Sequence, residues 1–136
     1  MYIDRVEPLK ILAVNDIYIF PRMLEFIIHE RGIPISLDKA SNGRIAVQKA
    51  KAEKYDAILM NLEMPVMNGW QATKAIRALD TTTPIIAWSA HKREHGFKVC
   101  MDDYAKIDMD HFLKEILDAL ERLGVGVGLG LVNSMG

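Results

Sequence analysis

The stretch AILMNLEMPVMNGW, residues 57–70, decides the fold. Four apolar residues, Ala57 to Met60, run without interruption and stop at Asn61. A loop follows, punctuated by Pro65 and Gly69, and a helical pattern begins at about Trp70. A short, wholly apolar strand needs cover on both faces, as strands of a parallel sheet have. It also hands the next side chain to the crevice at the carboxyl ends of the strands, where α/β sheets place their sites. The chemistry of that side chain is the puzzle. An amide stands where a nucleophile would be useful.

Similar units lie on both sides. LKILAV (9–14) is an apolar run closed by Asn15 and Asp16, and Pro21 suits a first helical turn, where no N–H is needed. Met23, Leu24, Ile27 and Ile28 recur at helical spacing until Gly32. IPISLDKA (33–40) reads as a second strand, SNG (41–43) as a turn into a second helix, and TPIIAWSA (83–90) as a fourth strand ending at Ser89. A short fifth strand surrounds Tyr104. In the last helix Asp108 is a candidate cap, Phe112, Leu113, Ile116, Leu117 and Leu120 form the apolar stripe, and Gly124 is the stop. Strand and helix in alternation mean a parallel sheet with helices on both faces. Asn15-Asp16, Asn61 and Ser89 are then expected to converge at the strand ends.

Composition narrows the function classes. With 136 residues the chain is long enough for one domain with a real core. Its net charge of −1 gives no field to draw nucleic acid or an anionic membrane. One cysteine, Cys100, excludes an internal disulfide and makes no zinc site alone, so a buried thiol is expected. No apolar run approaches a membrane span and the start lacks a signal peptide's apolar core, so a cytoplasmic location is expected. His29, His91, His95 and His111 have no metal-ligand spacing.

KILAVND, YDAILMNLEMPVMNGWQATKAIR, PIIAWSA and MDDY, taken together, resemble the receiver domains of bacterial two-component response regulators, in the flavour fused to hybrid histidine kinases. The resemblance covers residues 8–123, and MPVMNG directly after the third strand is its most specific part. It implies an α/β, flavodoxin-like three-layer sandwich with five parallel strands. It also implies an acceptor Asp ending the third strand and an acidic pair after the first that helps hold Mg²⁺. A Ser or Thr ending the fourth strand and a Lys ending the fifth would bind phosphoryl oxygens.

This chain departs from that pattern at several positions. The acceptor position is Asn61, and the acidic pair is Asn15-Asp16. Ser89 matches the hydroxyl position and Tyr104 the switch aromatic. The expected Lys-Pro is Ile107-Asp108, and Lys106 comes one residue early, which along a strand means the opposite face. Ten residues, HKREHGFKVC, separate Ser89-Ala90 from MDDY. The resemblance implies about four more there, roughly one helical turn, so the family's fourth helix should be shortened or disrupted.

These changes alter the chemistry. Phosphoryl acceptance wants a charged oxygen nucleophile, and an amide is a poor one. Mg²⁺ prefers carboxylate oxygen, and Asp16 is the one acid left, so metal binding is expected to be weak or absent and no other cofactor is implied. The same residues also have plain structural uses: Asn15 and Asn61 as strand-end caps on loop amides, Asp16 as a cap of the first helix, Ser89 as a cap of the helix after it, Tyr104 as a packed edge aromatic.

The reading that results is a phosphorylation-independent pseudo-receiver. It would be a protein-interaction module in two-component signalling and not an enzyme. The partner would be a histidine kinase or another signalling domain, with Ile17, Tyr18 and Phe20 as an exposed contact patch. The alternative is a working phosphoacceptor receiver whose acceptor Asp has been engineered to Asn61. The tail, 124–136, alternates glycine with apolar residues and is expected to be a linker or disordered, with pairing to a second copy, giving a homodimer, as the alternative.

Overall fold

A computed structural model describes residues 7–91 and 101–126. The strands are β1 (Leu9–Val14), β2 (Ile35–Ala40), β3 (Ala57–Met60), β4 (Ile85–Ser89) and β5 (Asp103–Lys106). The helices are α1 (Ile19–Arg31), α2 (Gly43–Ala52), α3 (Gly69–Leu79) and α4 (Phe112–Arg122). All the strands are parallel, in the order β2-β1-β3-β4-β5. The order reverses direction at β1, whose neighbours are β2 and β3. The ends of β1 and β3 meet in register, Val14 opposite Met60, so Asn15 and Asn61 leave the sheet side by side.

The apolar runs are buried on both faces. Ile11, Ala13, Leu59, Trp88 and Ala105 point to the side of α1 and α4, against Leu24, Phe112 and Leu120. Leu12, Val14, Ile58, Met60 and Tyr104 point the other way, against Ala46, Ala72 and Ile76 of α2 and α3. The two-residue period of a strand divides a continuous apolar string into two cores. The stripe anticipated on the last helix, from Phe112 to Leu120, is buried throughout.

Helix ends follow local chemistry. Gly32 takes a φ of 61° and lets the Ile33 amide reach the Ile28 carbonyl. After α4, Gly124 takes a φ of 75°, its amide donates to the Glu121 carbonyl, and Val125 donates to the Leu120 carbonyl. This is the paired-bond stop of a Schellman motif, and Val125 packs on the core behind it. Residues 124–126 therefore finish the helix. Asp108 caps a short 3₁₀ turn, Met109–His111, that leads into α4.

Helix α1 starts two residues before Pro21. The Asn15 side chain accepts from the Ile17 amide and the Phe20 amide donates back to the Ile17 carbonyl, so the turn is already wound when the chain reaches Pro21. Proline is tolerated there because the amides of the first turn have no partner within the helix. The shortened helix expected between Ser89 and MDDY, the Cys100 thiol, His95 and the tail beyond Gly126 lie outside the described residues. Among the described residues no helix is long and apolar enough to cross a membrane.

Candidate functional site at the strand ends

The loop after β3 is held in shape by close packing. The Gly69 amide donates to the Leu62 carbonyl over 2.7 Å. A Cβ on Gly69 would lie 2.1 Å from the Asn61 carbonyl oxygen. Asn68 caps α3 through the Gln71 amide, and Gln71 returns the bond to the Asn68 amide, a reciprocal capping box. Earlier in the loop, between Asn61 and Asn68, Val66 has a φ of 72°, and the Met67 amide donates to the Pro65 carbonyl. The loop is thereby folded back against the end of its own strand.

That fold presents Asn61 to three oxygens. Its Nδ2 donates to Asn15 Oδ1 at 3.2 Å, to Asp16 Oδ1 at 3.1 Å and to the Glu63 carbonyl at 3.3 Å. Its Oδ1 accepts from the Leu62 amide at 2.9 Å. An amide nitrogen carries two hydrogens, so three acceptors share them. Asn15 is 2% exposed and its Oδ1 also takes the Ile17 amide, which ties the start of α1 to the same group. Asp16 does not cap α1, whose N-cap residue, Tyr18, makes no side-chain capping bond.

The other candidates lie apart from this cluster. Ser89 is buried and its Oγ accepts from the His91 amide at 3.1 Å. The Ser89 carbonyl accepts from the Ile107 amide at 2.8 Å and from the buried Tyr104 hydroxyl at 3.2 Å. Ile107 packs on the core under α1 and α4. Lys106 falls on the alternate face, in phase with Tyr104, with its side chain exposed and its amide bonded to Glu115. Among the described residues no hydrogen bond or ion pair joins the Lys106 side chain to Asn15, Asp16 or Asn61. So Asn15, Asp16 and Asn61 form one hydrogen-bonded group that includes neither Ser89 nor Lys106.

A contact across the mouth of the site was not anticipated. His91 Nε2 lies 2.8 Å from Glu63 Oε2, joining the loop after β3 to the end of β4. The signal for it is positional: each residue stands two beyond a polar strand end, Asn61 or Ser89, on neighbouring strands.

The expected contact patch needs one correction. Ile17 is 50% exposed and Tyr18 69%, but Phe20 is half-buried and stacks on Phe112 with ring centroids 6.3 Å apart. Once α1 is wound from Ile19, Phe20 falls on its inner side. The exposed apolar residues of this region are Ile17, Tyr18, Ile19 and Phe26.

Residues 11–120 match the response regulator receiver domain family. The chain belongs to that family. Two-component response regulator ORR41 of Oryza sativa subsp. japonica is 34% identical over 119 residues, covering 86% of this chain and 90% of that protein. Protein-glutamate methylesterase/protein-glutamine glutaminase of Vibrio parahaemolyticus is 36% identical over 121 residues, which cover 89% of this chain and only 32% of the relative. Response regulator TrrA of Thermotoga maritima, crystallised in complex with Mg²⁺ and BeF, aligns with a TM-score of 0.71 and 27% identity over 82% of this chain and 98% of that one. The sheet and its flanking helices are the flavodoxin-like receiver fold. This is a receiver domain of two-component signalling.

Proposed function

We propose that this receiver works without phosphotransfer, as a regulatory module that acts through protein contacts and has no catalytic activity of its own. The observation that carries this reading is the Asn61 amide, whose Nδ2 donates into Asn15 Oδ1, Asp16 Oδ1 and the Glu63 carbonyl. An acceptor must offer a negatively charged oxygen to phosphorus. Asn61 offers a neutral one, already engaged by the Leu62 amide.

Mg²⁺ is a poor fit for this donor set. The three oxygens that face inward are already occupied by the amide, and only one of them belongs to a carboxylate. Among the described residues no group of three or more His, Cys, Asp or Glu side chains could hold a metal. A hard dication wants more charge than Asp16 alone supplies. With Ile107 turned into the core and Lys106 on the alternate face, the cation that would steady a phosphoryl group is displaced as well.

The partner on this reading is a histidine kinase or another signalling domain, met through the exposed Ile17, Tyr18 and Ile19 at the start of α1. Incubation with acetyl phosphate and Mg²⁺, followed by intact-mass measurement, tests the reading. No phosphoryl adduct is expected. A stoichiometric adduct would overturn the reading in favour of a working receiver.

A further inference from the structure

A cavity of about 310 Å³ opens between the start of α1, the end of β2 and the first turn of α2. It lies at the carboxyl edge of the sheet, beside the strand-end cluster, and shares Asn15 with it. We infer that this cavity binds a small aromatic anion.

Its lining carries the argument. The volume lies at the lower end of the range for small-molecule pockets, roughly 300–1,000 Å³. No carboxylate lines it, whereas Arg22 and Lys39 both do. Lys39 is already committed to Glu25, at 2.7 Å. Arg22 stands exposed on α1 with no ion pair among the described residues, so its guanidinium is available at the rim. A guanidinium is a planar fork suited to a carboxylate or sulfonate head. Ile45 and the Tyr18 ring supply apolar wall for a flat body, and most of the lining surface is apolar. A bare inorganic anion would leave that wall unused.

Asn15 links the cavity to the strand-end cluster. It is 2% exposed and lines the cavity, and its Nδ2 is a buried donor with no acceptor among the described residues. Its Oδ1 is fixed by the Ile17 amide, which only an oxygen can accept, so turning the amide over would not help. A buried donor without a partner costs about 1–3 kcal/mol. The same side chain accepts from Asn61 at 3.2 Å, so occupancy of the cavity reaches the strand-end cluster from behind.

The probe is 8-anilinonaphthalene-1-sulfonate, an aromatic anion that fluoresces in apolar surroundings, titrated into the folded 136-residue chain. One saturable site is expected, weakened at least about tenfold by Arg22→Glu, the equivalent of about 1.4 kcal/mol. Ile45→Trp, which fills the cavity, should abolish binding. Phe26→Ser should leave it unchanged, because Phe26 is exposed on α1 but does not line the cavity. In the unmodified chain the side-chain amide resonances of Asn15 and Asn61 should shift on titration, a readout that needs no variant to fold. Any of three results would overturn the inference: no saturable binding, binding that survives both Arg22→Glu and Ile45→Trp, or displacement of the probe by inorganic phosphate at equal concentration. Binding is measured on the unphosphorylated chain, so this experiment and the acetyl phosphate experiment can fail separately.

Discussion

Asn61 Nδ2 lies 3.2 Å from Asn15 Oδ1, so a neutral amide pair joins the ends of β3 and β1 where a receiver would set acids against each other. Asn61→Asp removes the donors and turns a new carboxylate towards Asp16 and the Asn15 oxygen. The loss should be about 1–3 kcal/mol at neutral pH, read by urea denaturation in chelator. Mg²⁺ should then raise the melting temperature of the variant and leave the parent unchanged, because two carboxylates suit a hard cation and one does not. Equal stability of the two proteins in chelator would contradict the role given to the amide.

Gly69 is required for space. Its φ is not in the left-handed region, yet a Cβ there would lie 2.1 Å from the Asn61 carbonyl oxygen and 3.0 Å from Leu62 Cα. Both neighbours are backbone and cannot swing away. Gly69→Ala should therefore cost about 3 kcal/mol or more, beyond the usual range for overpacking. The Asn61 side-chain amide resonances should move with it.

Val66 works in the opposite direction. It is 73% exposed, so little packing is at stake, but its φ of 72° is strained for a β-branched residue. The bond from the Met67 amide to the Pro65 carbonyl makes it the centre of a γ-turn. Relief of about 1–3 kcal/mol of strain, less about 0.5–1 kcal/mol for glycine's freedom in the unfolded chain, leaves Val66→Gly more stable by about 1 kcal/mol. Thermal and chemical denaturation should agree on the sign.

Tyr55 sets an alkaline limit. Its hydroxyl donates to Asp38 Oδ2 at 2.7 Å, and burial, followed by that bond and the nearby acid, raises its pKa above the ordinary phenol value. A raised folded-state pKa means the contribution is complete below about pH 10, the unfolded value, and is lost as pH climbs towards the folded one. Tyr55→Phe should cost about 1 kcal/mol at neutral pH and flatten the fall in stability above pH 10. A fall of the same steepness in the variant would assign it to other groups.

Much of this could be read along the chain. The apolar runs named the strands, the helical spacing of Phe112 to Leu120 named the face α4 buries, and Gly32 and Gly124 marked two helix ends. Those are local facts, fixed by periods of 2 and 3.6 residues and by glycine's access to positive φ. The miss at Phe20 has a local cause too. Four large apolar residues in a row suggest a surface patch, but the direction of each depends on where the helix begins. The Asn15 side chain starts that helix earlier than Pro21 indicates.

The sequence by itself determined the fold and the identity of the strand-end residues, the amide at position 61 among them, because each depends on residue type at a position set by local periodicity. Only the tertiary structure decided that Asn61 turns its amide into the side-chain oxygens of Asn15 and Asp16, and that Asn15 and Ile45 wall one cavity. Those relations join residues dozens of positions apart. They depend on which strands lie side by side and how far each loop folds back, and no period in the chain encodes either.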